Sequence, residues 1–275
     1  MKKRNLLATV ILSSVLFLGA CSSDDGSTTE ADAPKGSNQV TIESIKDAGV
    51  LKVGVKEDVP NFGLKNTDTG EIEGFEIDIA KKIAEDILGD PDAIELTPVT
   101  AKTRGPLLDN GEVDMVIATF TVTEERKETY NFSDAYYEDA VGLLVKKDKN
   151  YEGLKDMDGA NVGVAQSSTT SEAITSEAEQ YDITVEFSEY ATYPEIKAAL
   201  DSGRVDAFSV DRSILAGYLD DSTEILPDRF ATQDYGIATK KTNTELAEHV
   251  NGLITTWGED DTLNGLVTEW GLSEE

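Results

Sequence analysis

A single cysteine, Cys21, and a single histidine, His249, stand in 275 residues. One cysteine excludes any disulfide within the chain, so packing alone must hold the fold. The same shortage leaves no Cys/His cluster at metal-ligand spacing, and no nucleophile has a base signature near it. An enzyme would have to rely on carboxylates alone; no catalytic residue, cofactor or metal is expected. Positive charge is also scarce. Against 54 Asp and Glu stand 24 Lys and Arg, a formal net charge of −30. Such a chain is repelled by nucleic acid and by anionic lipid, and its charge suits solubility in an acidic or salty exterior. The apolar run over residues 6–18 is too short to span about 30 Å of hydrocarbon as a helix. With 39% hydrophobic residues, the chain can still bury the core of one large domain or of two lobes.

The short apolar run fits a secretory leader. Lys2, Lys3 and Arg4 form a positive segment before it, and Leu18-Gly19-Ala20-Cys21 follows it. This resembles a bacterial lipobox, whose cysteine becomes the lipidated first residue of the mature chain. An ordinary signal peptide with a chance cysteine is the competing reading. Residues 22–39 are rich in Ser, Asp, Thr, Gly and Ala and hold no large apolar residue, so they cannot bury a core. The expected order is a signal peptide over 1–20, a lipidated flexible tether over 21–39 and a folded body from 40 onward.

Two patterns occur twice in that body. Val53-Gly54-Val55 recurs as Val162-Gly163-Val164, and Leu108-Asp109-Asn110-Gly111-Glu112-Val113-Asp114 recurs as Leu200-Asp201-Ser202-Gly203-Arg204-Val205-Asp206. The second pattern reads as a helix ending at a glycine that takes the left-handed conformation. A buried strand then follows, over 115–118 in one copy and 207–210 in the other. Strands are expected at 51–55, 94–99, 141–145 and 161–165. Helix faces are expected at Ile77, Ala80, Ile83, Ala84, Ile87 and Leu88, at Ile196, Ala199 and Leu200, and at Leu246, Val250, Leu253, Ile254 and Trp257. Strands alternating with helices argue an α/β class with mainly parallel pairing, and two copies argue two lobes. Ligands of open α/β sheets sit beyond the carboxyl ends of the strands. The repeat marks those ends at Lys56, at Thr119, at Asp211 and at the hydroxyl run Ser167-Ser168-Thr169-Thr170-Ser171.

Three further segments are recognisable: Gly74-Phe75-Glu76-Ile77-Asp78-Ile79-Ala80, Thr121-Val122-Thr123-Glu124-Glu125-Arg126 and Asn131-Phe132-Ser133-Asp134-Ala135-Tyr136-Tyr137. They resemble the family-3 extracellular solute-binding proteins of amino-acid ABC importers, over nearly the whole body. The stretches from Ala101 to Leu108 and from Asp211 to Leu215 look closest to the aspartate/glutamate-binding branch, with glutamine-binding relatives as the near alternative. The resemblance implies a two-lobed periplasmic-binding-protein-like fold with two crossover strands and a ligand cleft between lobes. Residues 40–136 and 236–275 would form lobe 1 and residues 137–235 lobe 2, with crossovers near 134–139 and 233–236. It further implies a monomer, anchored to the outer face of the cell membrane through Cys21, that delivers a free acidic amino acid to a permease. A dehydratase-like enzyme on the same scaffold and a surface adhesin are the remaining readings.

A buried amino acid needs a partner for its carboxylate and another for its ammonium, because an unpaired buried charge is costly. Arg126 has the planar fork that suits a carboxylate and matches the family's carboxylate-binding arginine. Asp211 is the expected ammonium partner. Thr119 and Thr121 would add hydroxyl and backbone contacts, and Thr169 and Thr170 would open a helix whose free N–H groups suit a carboxylate. Phe62, Tyr193 and Tyr235 would wall the pocket; both tyrosines match residues near the ligand in the aspartate/glutamate relatives. Lys56 and Arg104 match positions that face the ligand side chain in that branch, and would read a second carboxylate. Bland roles compete with each of these. Arg126 could pair Glu124 or Asp134, and the threonines could be strand or cap residues. Asp211 could cap a helix over 212–219, and Phe62 could be plain core. Lys56 could be a loop residue and Arg104 a helix residue. His249 is read as a residue of a flanking helix.

Overall fold

The computed structural model describes residues 39–273. The expected leader, Cys21 and all of the tether save Gln39 lie outside the described residues. Among the described residues, no helix is long and apolar enough to cross a membrane.

The body opens with α1 (Ile42–Ala48), where the Thr41 hydroxyl accepts from the Ser44 N–H and the Ser44 hydroxyl accepts from the Thr41 N–H. Both are N–H groups that the first turn would otherwise leave unpaired. β1 (Leu51–Val55) follows. Three short strands, β2 (Asp58–Val59), β3 (Gly63–Lys65) and β4 (Ile72–Glu73), then pair as a small antiparallel sheet. In α2 (Phe75–Leu88) the anticipated face at Ile77, Ala80, Ile83, Ala84 and Ile87 is buried. β5 (Ile94–Pro98), α3 (Arg104–Asn110) and β6 (Met115–Ile117) complete a first β-α-β-α-β run. After α4 (Glu124–Thr129), β7 (Tyr130–Phe132) and the long β8 (Tyr137–Lys146), a second run begins. It consists of β9 (Asn161–Ala165), α5 (Thr170–Gln180), β10 (Glu186–Tyr190), α6 (Tyr193–Asp201) and β11 (Ala207–Asp211). The chain closes with α7 (Arg212–Ala216), β12 (Thr223–Ile225), β13 (Phe230–Tyr235), β14 (Ala238–Lys240), α8 (Thr244–Glu259) and α9 (Thr262–Glu269).

The two runs build two sheets with one plan. The first has the order β5-β1-β6-β14-β7, and the second β10-β9-β11-β8-β12 with β13 also on β8. In each, the opening strand of the run lies at the centre of three parallel strands. The sequence repeat therefore has a structural meaning that reaches single atoms. Asp114 accepts from the Lys52 N–H at 2.9 Å, and its counterpart Asp206 accepts from the Asn161 N–H at 3.0 Å. Each aspartate thus clasps the start of the neighbouring central strand. Gly54 and Gly163 also correspond. A Cβ on Gly163 would lie 2.6 Å from Ile196 of α6, and one on Gly54 would lie 3.2 Å from Val99 and Val116. The bare backbone lets side chains pack directly on the central strand.

Pairing is not mainly parallel, as the alternation suggested. β14 runs antiparallel to β6 and β7, and β8 runs antiparallel to β11, β12 and β13. These are the strands that enter a sheet from the other lobe, so their direction is set by the crossing and not by a helix return. For the same reason the strand expected at 141–145 begins earlier, at Tyr137. Its first residues pair with β13 from Tyr137↔Tyr235 to Ala140↔Thr232, a two-stranded ribbon that joins the lobes. The helix after β11 is shorter than the expected 212–219 and ends at Ala216. At the junction, the rings of Phe62, Phe75, Tyr136, Tyr137 and Tyr235 pack with centroids 5.2–6.2 Å apart.

Candidate ligand-binding site

On the side of the first sheet, buried polar groups gather at the strand ends. Lys56, just past β1, is 2% exposed; its Nζ lies 2.9 Å from Asp58 Oδ1 and 4.6 Å from the centre of the Tyr193 ring. Burial lowers its pKa, against the opposing pull of Asp58. Arg104, the first residue of α3, donates from Nη1 to the carbonyls of Ala118 and Thr119 at 2.6 and 2.9 Å and stacks over Phe120. Thr119 follows β6 in a left-handed conformation (φ 44°), which costs free energy for a residue with a branched Cβ. Its N–H donates to Glu76 Oε1 at 2.6 Å, and the Tyr136 hydroxyl donates to the same oxygen at 2.5 Å.

Glu76 is fully buried in the first turn of α2, and Gly74 makes that placement work. Gly74 has φ 148°, and a Cβ there would lie 2.2 Å from the Phe62 carbonyl oxygen. With no side chain at Gly74, the helix start nests against the 61–62 backbone, and Glu76 N–H donates to Phe62 O at 3.0 Å. Burial raises the Glu76 carboxyl to about 7, against the hydrogen bonds from Tyr136 and Thr119 and the charges of Lys56 and Arg104.

Arg126 of α4 reaches across both lobes. One Nη donates to Thr121 O at 2.7 Å and the other to Ser167 O at 3.2 Å, beyond β9. Burial and the nearby Arg104 charge lower its pKa to about 10, with Asp211 opposing. Gln233, on the crossover strand β13, accepts from the hydroxyls of Thr121 and Thr169, each at 2.8 Å. Its Nε2 donates to Ala231 O and Thr232 O, which fixes the amide. Asp211 ends β11, and its Oδ2 accepts from the Tyr235 hydroxyl at 2.5 Å. Its carboxyl is raised to about 7, first by burial and then by Asp139, against Tyr235, Arg104 and Arg126. Tyr193 begins α6, is 4% exposed, and donates its N–H to Asp58 Oδ2 at 3.2 Å. A second tie between the lobes runs from the Tyr218 hydroxyl to the Asp58 carbonyl.

Of the residues singled out in the sequence, Lys56, Arg104, Thr119, Thr121, Arg126, Thr169, Tyr193, Asp211 and Tyr235 thus meet in one network of short contacts. Phe62 touches it through its ring contact with Tyr235 and is otherwise enclosed by aromatic rings. Thr170 is buried as the first residue of α5, with no hydrogen bond among the described residues tying its side chain to the others. Thr169 occupies the cap position but spends its hydroxyl on Gln233, and Asp211 precedes α7 without capping it through its side chain. His249 on α8 bonds Asp86 of α2 at 2.8 Å. The sequence reading did not assign Glu76, Asp58 or Gln233. Glu76 carries a legible signal, an acid between buried Phe75 and Ile77 directly after a Gly-Phe pair. Asp58, two residues from a cation at a strand end, carries a weaker one. Gln233 carries none, since its role depends on two threonines far away in sequence.

Polar groups of both signs thus gather where the carboxyl ends of two similar sheets face each other, an arrangement with known relatives. A family model described as bacterial extracellular solute-binding proteins, family 3, matches residues 51–273. An ABC transporter glutamine-binding protein of Bacillus subtilis (strain 168) is 41% identical over 263 residues, 94% of each chain. A glutamine-binding protein of Geobacillus stearothermophilus is 43% identical over 244 residues, 86% of this chain and 91% of its own. Among solved structures, an ancestral arginine-binding protein bound to glutamine superimposes with a TM-score of 0.72 at 34% identity, covering 81% of this chain and 97% of its own. The chain belongs to the bacterial extracellular solute-binding proteins of family 3.

Proposed function

We propose that this protein captures free L-glutamine between its lobes and hands it to the permease of an ABC importer, held at the outer face of the membrane by a lipid on Cys21. The observation that carries the ligand is the balance of charge in the network. Three cations, Lys56, Arg104 and Arg126, stand with three carboxylates, Asp58, Glu76 and Asp211. A zwitterion with an uncharged side chain adds no net charge there, whereas a second ligand carboxylate would be buried beside Asp58 and Glu76. In this reading Lys56, paired with Asp58 at 2.9 Å, and Arg104, whose Nη1 holds two backbone carbonyls, face an uncharged side chain rather than the second carboxylate expected for them. Two relatives named for glutamine support the same reading.

Within this reading Arg126 holds the α-carboxylate and Asp211 the ammonium. The hydroxyls of Thr121 and Thr169 donate to Gln233, so toward a ligand they are left as acceptors and serve the ammonium rather than the carboxylate. Lys56, Arg104, Thr119 and Tyr193 line the side-chain end, with Phe62 and Tyr235 behind. Calorimetric titration of ligand-stripped protein with glutamine, glutamate and aspartate tests the choice. Glutamine should bind tightest, and tighter binding of either acid would return the protein to the acidic branch. For the anchor, which follows from the lone cysteine closing the 18–21 motif, Cys21→Ser should leave the protein unprocessed or release it from cells. Membrane-bound, normally processed mutant protein would remove the anchor from the proposal.

A further inference from the structure

Asp139 is a further buried carboxylate, 6% exposed, on the strand that crosses between the lobes. In the crossover ribbon it stands opposite Gln233, which receives a threonine hydroxyl from each lobe. Two residues further along β8, Val141 stands opposite Asp211. Oδ1 of Asp139 accepts from the Ala140 N–H at 2.7 Å, and Oδ2 accepts from the Ser213 N–H at 3.0 Å and from the Ser213 hydroxyl. Both oxygens thus receive backbone N–H groups, which favours the ionised carboxylate against the burial that raises its pKa. Ser213 is the second residue of α7, and α7 starts directly after Asp211. The first turn of a helix leaves its N–H groups without partners inside the helix. Asp211 does not cap α7 with its own side chain. Asp139 takes that N–H in its place, and the Asp211 carboxyl is left for other partners.

We infer that Asp139 is a positioning residue for the ligand ammonium: it fastens the first turn of α7 to the crossover strand and so fixes Asp211, the residue just before that turn. The inference rests on the reading in which Asp211 takes the ammonium of a free amino acid. A binding group keeps its geometry only when the residues around it are themselves held. The Ser213 clasp joins the end of β11, the start of α7 and the crossover ribbon into one body. Asp139 also acts on Asp211 by charge. After burial it is the largest cause of the raised Asp211 carboxyl, against Tyr235, Arg104 and Arg126, and Tyr193 of α6 lies in the same field. Arg229 is the cation that answers Asp139 itself. The two effects are separable, because the clasp needs an acceptor at position 139 and the field needs a charge there.

The test titrates the purified, ligand-stripped protein, Asp139→Ala and Asp139→Asn with glutamine and glutamate between pH 5.5 and pH 8. Asp139→Ala strands the Ser213 N–H and frees the start of α7. At pH 8 it should weaken both ligands alike, by about tenfold or more. Asp139→Asn keeps a carbonyl acceptor for Ser213 and should recover most of that loss. It carries no charge, so Asp211 ionises at lower pH, and the acid-side loss of affinity should begin at lower pH than in wild type. A residue that merely supports the fold would leave that profile in place. An Asp139→Asn protein with the wild-type pH profile overturns the inference, as does an Asp139→Ala protein that binds as tightly as wild type at pH 8. A change confined to one of the two ligands would put Asp139 at the side-chain end and overturn it too. A wild type that prefers glutamate overturns the glutamine reading alone, because the ammonium is common to both ligands. The profile of Asp139→Asn decides the point even if Asp139→Ala does not fold.

Discussion

Two carboxyls of the network, Glu76 and Asp211, are raised by burial to about 7 in the folded chain, against about 4 when unfolded. Between those values the folded state holds protons that the unfolded state has lost. Stability must therefore fall as pH rises from about 4 to about 7, and level off above. Ligand-stripped protein should melt higher at pH 5.5 than at pH 8, and Glu76→Gln should flatten that difference. Equal slopes in the two proteins would show that Glu76 is already ionised in the folded state. Binding should respond in the opposite direction. An ammonium needs Asp211 ionised, so glutamine affinity should weaken below about pH 7, with proton release on binding near neutrality. Titrations in buffers of different ionisation enthalpy measure that release directly. Residue by residue, the sequence showed the charged and hydroxyl groups at strand ends, because the repeat marks where strands stop. It hid how those groups divide their bonds. Thr169 and Asp211 stand where caps stand, yet their side-chain bonds go to Gln233 and Tyr235, partners that only the closed chain brings near.

At the scale of elements, the duplication was the most legible feature, since helix–glycine–strand junctions leave a local mark. Asp114 and Asp206 give it a test. Each accepts an N–H at the start of a central strand, outside the ligand network. Asp114→Ala and Asp206→Ala should each cost about 1–3 kcal/mol of stability by stranding that N–H, with glutamine affinity nearly unchanged. Denaturant unfolding of both variants checks this, and a large loss in only one would break the equivalence of the two copies. Less legible were β8 and β14. Nothing local in Tyr137–Lys146 states that its start is a crossover ribbon and its end a sheet member. That division comes from β13, which lies more than eighty residues further along the chain.

Over the whole molecule, the lobes are held face to face by a few polar ties. Arg126 reaches Ser167, Gln233 takes a threonine from each side, Lys102 Nζ donates to Gln166 Oε1 at 3.2 Å, and Asp58 receives Tyr193 and Tyr218. A ligand shifts a two-state clamp only through contacts that differ between its states. Glutamine should therefore shrink the radius of gyration measured by small-angle scattering. At 100-fold above the dissociation constant it should add about 2.7 kcal/mol of stability. Scattering curves that superimpose with and without saturating glutamine would argue against an open apo state.

The order of strands in the first sheet also bears on how the chain comes to be folded at all. β14, residues Ala238–Lys240, lies between β6 and β7 and is the strand through which β7 joins that sheet. It is made only after every strand of the second sheet. The half that begins first is therefore finished last, while the half inserted in its middle is continuous and can complete itself alone. A chain emerging from its amino end must carry an open sheet edge through the synthesis or export of more than a hundred further residues, an exposure that invites mispairing. The late return of three residues ends it.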